Sequence, residues 1–236
     1  MRILAFETSA KAASVALLQD GMLLGEYMQN SGQTHSRTIM QMAQDLLKNC
    51  DLTASDVDAV ACAAGPGSFT GVRIGLAAAK GFAWGREIPL VGVSTLEAMA
   101  KNVAVADGIY CAAMDARRNQ VYTATFEQKN GVFSRMTEDR AISMAELGEH
   151  LAALEGVKYL VGDGACLCHQ SLCDTVSQLY LLPEHLRMQR AAGTALLAWE
   201  QLQKGSVPDA ASVQPNYLRL SQAERERQKK TAQEVS

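Results

Sequence analysis

The stretch from Gly65 to Gly75, Gly-Pro-Gly-Ser-Phe-Thr-Gly-Val-Arg-Ile-Gly, constrains the fold more than any other part of the sequence. It follows an apolar run, Val57–Ala64, that predicts a short buried strand, and it precedes an Ala/Gly-rich segment, Leu76–Trp84, that predicts a helix. Glycine and proline between a strand and a helix favour a tight turn with little side-chain bulk. Such a turn either leaves backbone N–H groups for a phosphate at the helix N-terminus or lets another element pack closely, and the sequence leaves both readings open. The Gly-Lys-Ser/Thr of a P-loop is absent from the stretch.

The opening of the chain predicts an antiparallel meander. Three β-rich runs follow one another, the second and third joined by the hairpin dipeptide Asp20-Gly21: they are Ile3–Phe6, Ser14–Gln19 and Met22–Met28. A similar order of strand, acidic residue, turn, strand and hairpin dipeptide recurs after Gly108. Its runs are Ile109–Met114, Gln120–Glu127 and a strand around Val132–Met136. We interpret this as a weak internal duplication, with coincidence between two common meanders as the alternative.

Acidic residues end the first strand of each meander. Glu7 and Asp115 are therefore predicted to face one another across a cleft between two lobes, where paired carboxylates suit Mg²⁺ beside a phosphate. The alternative is that each carboxylate accepts backbone N–H bonds in its own turn. We assign the following residues to this phosphate or cleft site: Glu7, Thr8, Gly65, Gly67, Ser68, Asp115 and Arg117.

Two helices have more apolar surface than packing against one face of a sheet would bury. His35–Asn49 has a stripe that includes Ile39 and Met42, whereas Met40 lies off it and gives a second apolar patch. One patch is expected to pack on the sheet and the other on a partner, or on a second layer of the same domain. With the small-residue face of the next helix, the predicted partner interface comprises His35, Ile39, Met40, Met42, Gly71, Gly75, Ala78, Ala79 and Phe82.

The remaining pattern predicts alternating strands and helices in two α/β lobes. Its main signals are a strand at Ile88–Val93, capping boxes at Ser94–Glu97 and Ser143–Glu146, a strand at Lys158–Val161 leading into the glycine turn Gly162–Gly164, and a helix at Ala191–Gln203. We predict an N-terminal lobe over residues 1–106, a C-terminal lobe over 107–220 and a polar tail over 221–236.

Charge and cysteine usage limit the function classes. The formal net charge of −3 gives no global basic field, so contact with nucleic acid needs a local patch or a partner. The cysteines lie mostly in apolar runs, and no apolar run reaches membrane-spanning length, which predicts a cytoplasmic protein with reduced thiols. The cluster Cys166, Cys168, His169 and Cys173 lacks paired Cys-x-x-Cys hooks, so we predict no metal there.

Several segments together resemble the bacterial TsaB (YeaZ) family. They are Ile3-Leu4-Ala5-Phe6-Glu7-Thr8-Ser9, the Gly65–Gly75 stretch, Gly92-Val93-Ser94-Thr95-Leu96, Asp115-Ala116-Arg117-Arg118 and Pro215-Asn216-Tyr217-Leu218-Arg219. The resemblance implies two RNase H-like lobes of the actin/Hsp70/sugar-kinase superfamily, the second reduced.

The resemblance also implies a function. The family supplies the accessory subunit for forming threonylcarbamoyladenosine at position 37 of tRNA, together with a catalytic paralogue, TsaD, and a TsaE-type ATPase. It implies contact with the paralogue through the first two helices in a four-helix arrangement. The same surface is expected to form homodimers when the partner is absent. No cofactor is expected on the chain by itself, and the only nucleotide that the resemblance allows is ATP or ADP at the subunit interface of the complex. The tRNA is expected to be reached only through the complex.

One departure from the paralogue bears on catalysis. The paralogue carries a His-x-x-x-His metal motif, whereas Thr95 and Met99 occupy those positions here. A hydroxyl and a thioether do not replace two imidazoles on a hard or borderline metal. We therefore expect a subunit that is not an enzyme; the alternative is an ATP-dependent or peptidase-like (M22-type) enzyme acting in the interlobe cleft, which would depend on Glu7 and Asp115.

Overall fold

Two β-sheets form the frame of the protein. The computed structural model describes residues 1–205 and 210–219; the predicted tail 221–236 lies outside this range. In the described part, the first sheet comprises β1 (Arg2–Glu7), β2 (Ala13–Gln19), β3 (Met22–Gln29), β4 (Ala59–Ala63) and β5 (Leu90–Val93). The second comprises β6 (Gly108–Asp115), β7 (Gln120–Lys129), β8 (Val132–Arg135), β9 (Arg140–Ser143), β10 (Lys158–Val161) and β11 (Leu179–Leu181).

Helices alternate with the strands along the described part of the chain. They are α1 (His35–Asn49), α2 (Phe69–Trp84), α3 (Thr95–Val103), α4 (Met144–Ala152), α5 (Ala165–Leu172), α6 (Glu184–Arg187) and α7 (Ala191–Gln203), with a 3₁₀ turn at Ala54–Asp56. The hydroxyls of Ser94 and Ser143 accept hydrogen bonds from the N–H groups of Glu97 and Glu146, each at 3.2 Å. These contacts satisfy otherwise unpaired donors at the first turns of α3 and α4.

The two sheets repeat one topology. The strand order is β3-β2-β1-β4-β5 in the first and β8-β7-β6-β10-β11 in the second, where β9 also pairs with β7. In both, the first three strands run antiparallel and the next two add parallel to the first strand. The repeated sequence pattern therefore corresponds to a repeated fold unit, as the duplication interpretation predicts.

Helices cover the sheets in layers. Helices α1 and α2 pack on one face of the first sheet through a core that includes Leu4, Phe6, Leu46 and Leu76. Helix α7 covers the opposite face, and α3 lies between this face and the second sheet. Helices α4 and α5 cover the outer face of the second sheet. The carboxyl ends of β1, β4, β6 and β10 consequently open toward the space between the two sheets.

Two features differ from the sequence-based expectation. Helix α2 begins at Phe69, not at Leu76, because the Ser68 side chain accepts a hydrogen bond from Gly71 N–H and caps the helix there. Helix α7 lies within the predicted second lobe but packs on the first sheet, because its small side chains fit closely against β1, β2 and β4. The boundary between the lobes after residue 106 stays a prediction.

Candidate functional site

An open groove follows the outer surface of α1. It has a volume of about 890 Å³ and lies between α1, the end of α2 and the turn that follows α1. Met40, 45% exposed, and half-buried Phe82 supply apolar side chains to it. The other lining residues are Arg37, Gln41, Ala43, Gln44, Leu47, Lys48, Asp51, Leu52, Thr53 and Ala54. An apolar centre with a mixed polar rim is the composition of a protein-binding groove.

The other predicted interface residues of this face are less exposed. His35, Met42 and Ala78 are half-buried, and Ile39 is buried in the core between α1 and the sheet. The His35 Nε2 atom lies 2.7 Å from the carbonyl oxygen of Ala10, which fixes the start of α1 beside the β1–β2 turn. The second apolar patch predicted around Met40 is therefore on the surface, and the Ile39 stripe faces inward.

Gly71, Gly75 and Ala79 face the interior of this chain. A Cβ atom at Gly71 would overlap the carbonyl oxygen of Thr8, and one at Gly75 would overlap the Thr8 hydroxyl. The Thr8 hydroxyl itself donates a 2.7 Å hydrogen bond to the Gly71 carbonyl oxygen. The close approach that these three residues permit within the chain is that of α2 to the end of β1, and their assignment to the partner interface stays a prediction.

The glycine loop before α2 is also held by its own chain. Ser68 N–H donates to the Ser9 carbonyl at 2.7 Å, and the Gly65 carbonyl accepts from Thr95 N–H at 2.9 Å. Gly65 has a φ of +109°, and a Cβ atom there would lie 2.7 Å from the Asn216 carbonyl oxygen. Gly67 packs similarly against Ser9. Two N–H groups of this loop, those of Ser68 and Gly71, are thus already bonded within the chain, and the phosphate site stays a prediction.

Glu7 is a buried carboxyl group at the end of β1. Its Oε1 atom accepts a 2.6 Å hydrogen bond from Ser9 N–H, whereas Oε2 has no hydrogen-bond partner among the described residues. Burial raises the pKa of Glu7 from its ordinary 4.5 to about 7, the Ser9 hydrogen bond opposes the rise, and the nearby Asp163 carboxylate adds to it. This carboxyl group therefore titrates near neutral pH.

Asp163, not Asp115, is the carboxylate that acts on Glu7. It follows β10 in the glycine turn, is half-buried and accepts a 2.9 Å hydrogen bond from Gln189 Nε2. Its own pKa is raised by burial and by Asp115, and lowered by the Gln189 bond and Lys11. The Gly162–Gly164 turn was the available sequence signal, because parallel strands β6 and β10 end at the same edge of their sheet.

Asp115 and Arg117 lie at the exposed end of β6. An oxygen of Asp115 accepts a 2.7 Å hydrogen bond from Arg117 N–H, the turn contact that the sequence left as the alternative. The predicted pairing of Glu7 with Asp115 is replaced by Glu7 with Asp163, with Asp115 beside the latter.

The segment 210–219 crosses the open end of the cleft. Asn216 N–H donates to the Ala64 carbonyl at 2.6 Å, and Arg219 Nη1 donates to the Ala116 carbonyl at 2.5 Å. Tyr217 stacks on Phe69 with ring centroids 4.6 Å apart. This segment thereby joins the glycine loop of the first sheet to the β6–β7 turn of the second.

The described part of the chain has no clustered set of metal ligands. In residues 1–205 and 210–219, no group of three or more His, Cys, Asp or Glu side chains is arranged to hold one. Thr95 and Met99 are buried, and the thioether packs in the core between α3 and the second sheet. Cys168 is buried on α5, whereas Cys173 is exposed beyond its end. None of the described helices is long and apolar enough to cross a membrane.

Comparison with protein families and curated proteins gives consistent matches. The family model described as "TsaD: tRNA N6-adenosine threonylcarbamoyltransferase" matches residues 27–226. The tRNA threonylcarbamoyladenosine biosynthesis protein TsaB of Bacillus subtilis is 33% identical over 95% of this chain and 96% of its own length. The protein of the same name from Escherichia coli is 38% identical over 70% of this chain and 72% of its own length.

Solved structures show the same architecture. YeaZ from Pseudomonas aeruginosa superposes with a TM-score of 0.75 at 26% identity, covering 92% of this chain and 99% of that one. Component A of (R)-2-hydroxyglutaryl-CoA dehydratase from Acidaminococcus fermentans gives a TM-score of 0.50 at 11% identity, covering 86% and 99% of the two chains, which is a likeness of fold alone. The predicted fold class, α/β with two sheets of repeated topology, is confirmed.

Proposed function

The chain belongs to the TsaB (YeaZ) family, and from this premise we propose that it is a non-catalytic subunit in the synthesis of threonylcarbamoyladenosine on tRNA. Its partner in this proposal is the catalytic TsaD paralogue, which it holds in an active arrangement, with a TsaE-type ATPase also taking part. The observation that carries the proposal is the match to proteins named for this biosynthesis over nearly the whole chain.

The chemistry of the chain supports a non-catalytic role. The positions of the paralogue's two metal-binding histidines hold Thr95 and Met99, and these side chains are buried in the chain's own core. Neither side chain fits the donor set of such a metal. No step of the transfer reaction is therefore assigned to residues of this chain.

The groove along α1 supports the docking part of the proposal. Met40 and Phe82 form an apolar centre on the α1–α2 face, and Arg37, Lys48 and Asp51 supply charged groups around it. A helical partner element lying along α1 would bury the Met40 side chain and meet these charges at its edges. A second copy of this chain is expected to use the same face when the paralogue is absent.

Reconstitution of the modification reaction tests the proposal. The paralogue, the ATPase, tRNA, threonine, bicarbonate, ATP with Mg²⁺ and an enzyme that forms threonylcarbamoyl-adenylate from them are combined with and without this chain, and the modified nucleoside is measured by mass spectrometry. We expect product only when this chain and the paralogue are both present. Full product without this chain, or product from this chain without the paralogue, would refute the proposal.

A pair of surface variants separates docking from folding. Met40→Asp places a charge at the centre of the groove, whereas Val132→Asp changes an apolar residue that is 65% exposed on the far hairpin. We expect Met40→Asp to weaken association with the paralogue at least tenfold and to lower product formation, and Val132→Asp to leave both unchanged. If both variants associate with the paralogue as tightly as the wild-type chain does, the α1 groove is not part of the docking surface.

The enzyme alternative rests on Glu7. A buried carboxyl group with a pKa of about 7 has the protonation behaviour of a general acid or base. If the cleft itself catalyses a hydrolytic or ATP-dependent step, the isolated chain turns over nucleotide or peptide, and Glu7→Gln abolishes this turnover. No turnover by the isolated wild-type chain, together with full modification by the complex containing Glu7→Gln, would eliminate this alternative.

A further inference from the structure

Five cationic residues gather around the open end of the interlobe cleft. We call this set the cleft-mouth surface, and its members are Lys11, Arg73, Arg117, Arg118 and Arg219. All but the half-buried Arg219 are exposed. They come from the β1–β2 turn, helix α2, the β6–β7 turn and the C-terminal segment, so only the tertiary structure brings them together.

Direct contacts connect these elements. Arg219 Nη1 donates to the carbonyl oxygens of Ala116 at 2.5 Å and Arg117 at 3.5 Å, which places its charge at the β6–β7 turn. Arg73 Nε donates to the Tyr217 hydroxyl at 2.7 Å, two residues before Arg219. Lys11 lies near enough to Asp163 for their charges to interact.

The balance of charge at this surface is positive although the whole chain carries −3. The acidic groups that face it are Asp115, which is exposed, Asp163, which is half-buried, and Glu7, which is buried. The side chains of Arg117 and Arg118 are exposed, and the bonds of Arg117 to Asp115 and Arg219 are made by its backbone N–H and carbonyl groups. Their charges are therefore available to an external anion.

The backbone presents these two arginines at a conformational cost. Arg117, Arg118 and Asn119 have φ values of +61°, +58° and +57°, a left-handed run that side chains other than glycine rarely adopt. The turn is closed by a hydrogen bond from Ala116 N–H to the Gln120 carbonyl at 3.0 Å. Strain of this kind is retained where a side-chain direction serves a function.

Aromatic side chains adjoin the cations. The Arg73 guanidinium lies 3.7 Å from the centre of the Phe69 ring, and Phe69 stacks on Tyr217, which is 40% exposed. Arginines beside exposed aromatic rings are the combination by which proteins hold RNA, through phosphate contacts and base stacking. An acidic protein segment would use the charges but has no need of the rings.

We propose that the cleft-mouth surface contacts the phosphate backbone of the tRNA when this chain is docked on its partner through α1 and α2. The inference rests on the proposed function, because the RNA is the substrate of the complex. The surface is continuous with the docking face, since His35 at the start of α1 lies 2.7 Å from the Ala10 carbonyl, next to Lys11. An RNA held by the partner can thus extend across both subunits.

The test removes two charges from the assembled complex. Arg117→Gln/Arg118→Gln removes both charges and leaves polar, unbranched side chains in the turn, and Arg117→Lys/Arg118→Lys keeps the charge. The matched control is Lys129→Gln/Lys204→Gln, two exposed cations outside the cleft-mouth surface. Binding of fluorescent tRNA to each complex with the paralogue is measured by anisotropy over a series of salt concentrations.

Each lost phosphate contact reduces the slope of log affinity against log salt by about 0.7 to 0.9. We therefore expect the Gln/Gln complex to lose about 1.5 from the slope and to bind tRNA roughly 30-fold more weakly at 0.1 M salt. The Lys/Lys complex should keep most of its affinity, and the control complex all of it. Unchanged affinity and slope in the Gln/Gln complex would overturn the inference.

Two further arms separate the sources of failure. The dissociation constant between this chain and the paralogue is measured without RNA for each variant, and it should not change. If the wild-type chain neither associates with the paralogue nor supports modification, the proposed function fails; if it does both while the Gln/Gln complex binds tRNA normally, only this inference fails. Displacement of the tRNA by millimolar ATP or by polyglutamate as readily as by unlabelled RNA would also overturn it.

Discussion

Substitution of Gly75 by alanine tests the packing of α2 on the end of β1. The added Cβ atom would lie under 3.0 Å from the Thr8 hydroxyl oxygen, a separation that real Cβ contacts essentially never show. The hydroxyl cannot simply move away, because it donates a 2.7 Å hydrogen bond to the Gly71 carbonyl and both residues are buried. The methyl group therefore either displaces Thr8 or pushes α2 outward.

The magnitude follows from three opposing effects. Alanine inside a helix is favoured over glycine by about 1 kcal/mol. Leaving the buried Thr8 hydroxyl and the Gly71 carbonyl unpaired costs about 1–3 kcal/mol. Overpacking a well-filled contact costs about 1–3 kcal/mol more. We expect Gly75→Ala to lower the free energy of unfolding by about 3 kcal/mol, and the melting temperature by about 6–12 °C for a chain of this size.

The same helix supplies a matched control. Gly81 is exposed, and an added Cβ atom there would have nothing within 4 Å. Gly81→Ala should therefore show the helix-propensity gain alone, up to about 1 kcal/mol. In addition, Thr8→Ala/Gly75→Ala should be less destabilised than the two single changes predict together, because removing the Thr8 hydroxyl makes room for the methyl group.

Urea unfolding of the isolated chain, followed by far-UV circular dichroism, measures these differences. If Gly75→Ala were as stable as Gly81→Ala, the assignment of Gly75 to internal packing would be refuted. The dissociation constant with the paralogue should be compared at a temperature where both variants are folded. If Gly75→Ala weakens association with the paralogue but not the stability of the isolated chain, Gly75 is part of the partner surface.

Three further predictions concern buried or partly buried charges. Because the folded state of Glu7 has a pKa of about 7 against 4.5 when unfolded, its protonated form favours folding at low pH. That stability is lost as the pH rises from about 4.5 to 7, by up to about 3 kcal/mol, and Glu7→Gln should flatten this part of the stability–pH curve measured by urea titration. Glu26→Gln should cost about 2–3 kcal/mol in the same assay, because Glu26 accepts a 2.8 Å bond from Arg190 Nε and a 3.0 Å bond from the first turn of α7. Arg135→Met removes the ion pairs of Arg135 with Glu97, at 2.5 Å, and with Asp139 in the loop after β8, at 2.8 Å. Amide hydrogen exchange at the start of α3 should therefore become faster, whereas Lys129→Met, as a control, should leave it unaltered.

Much of the fold could be predicted from local sequence. The strand β3 and the helix α1 begin where the hairpin dipeptide and the apolar periodicity indicated, and α1 spans His35–Asn49 as predicted. The serine N-caps of the predicted capping boxes before α3 and α4 are present. These features depend on hydrogen bonds and side-chain spacing within a few residues, so neighbouring sequence suffices to indicate them.

The candidate site was less predictable because its contacts join distant segments. Asp163 acts on Glu7 because the tertiary structure brings the turn after β10, which lies beside β6, close to the end of β1, whereas sequence symmetry favoured Asp115. The apolar spacing of Gly71, Gly75 and Ala79 could not reveal whether the small face meets a partner or the chain's own Thr8. The assignment of Met40 to the surface, by contrast, followed from its position off the main stripe of α1.

By itself the sequence determined the family, the repeated meander and the lack of a His-x-x-x-His motif, because each depends on residue identity and local spacing. Only the tertiary structure decided which small residues are internal, which carboxyl groups act on one another and which arginines share a surface. Burial and long-range distance set these properties, since a charge or a methyl group acts on whatever lies within a few ångströms of it, wherever that atom stands in the chain.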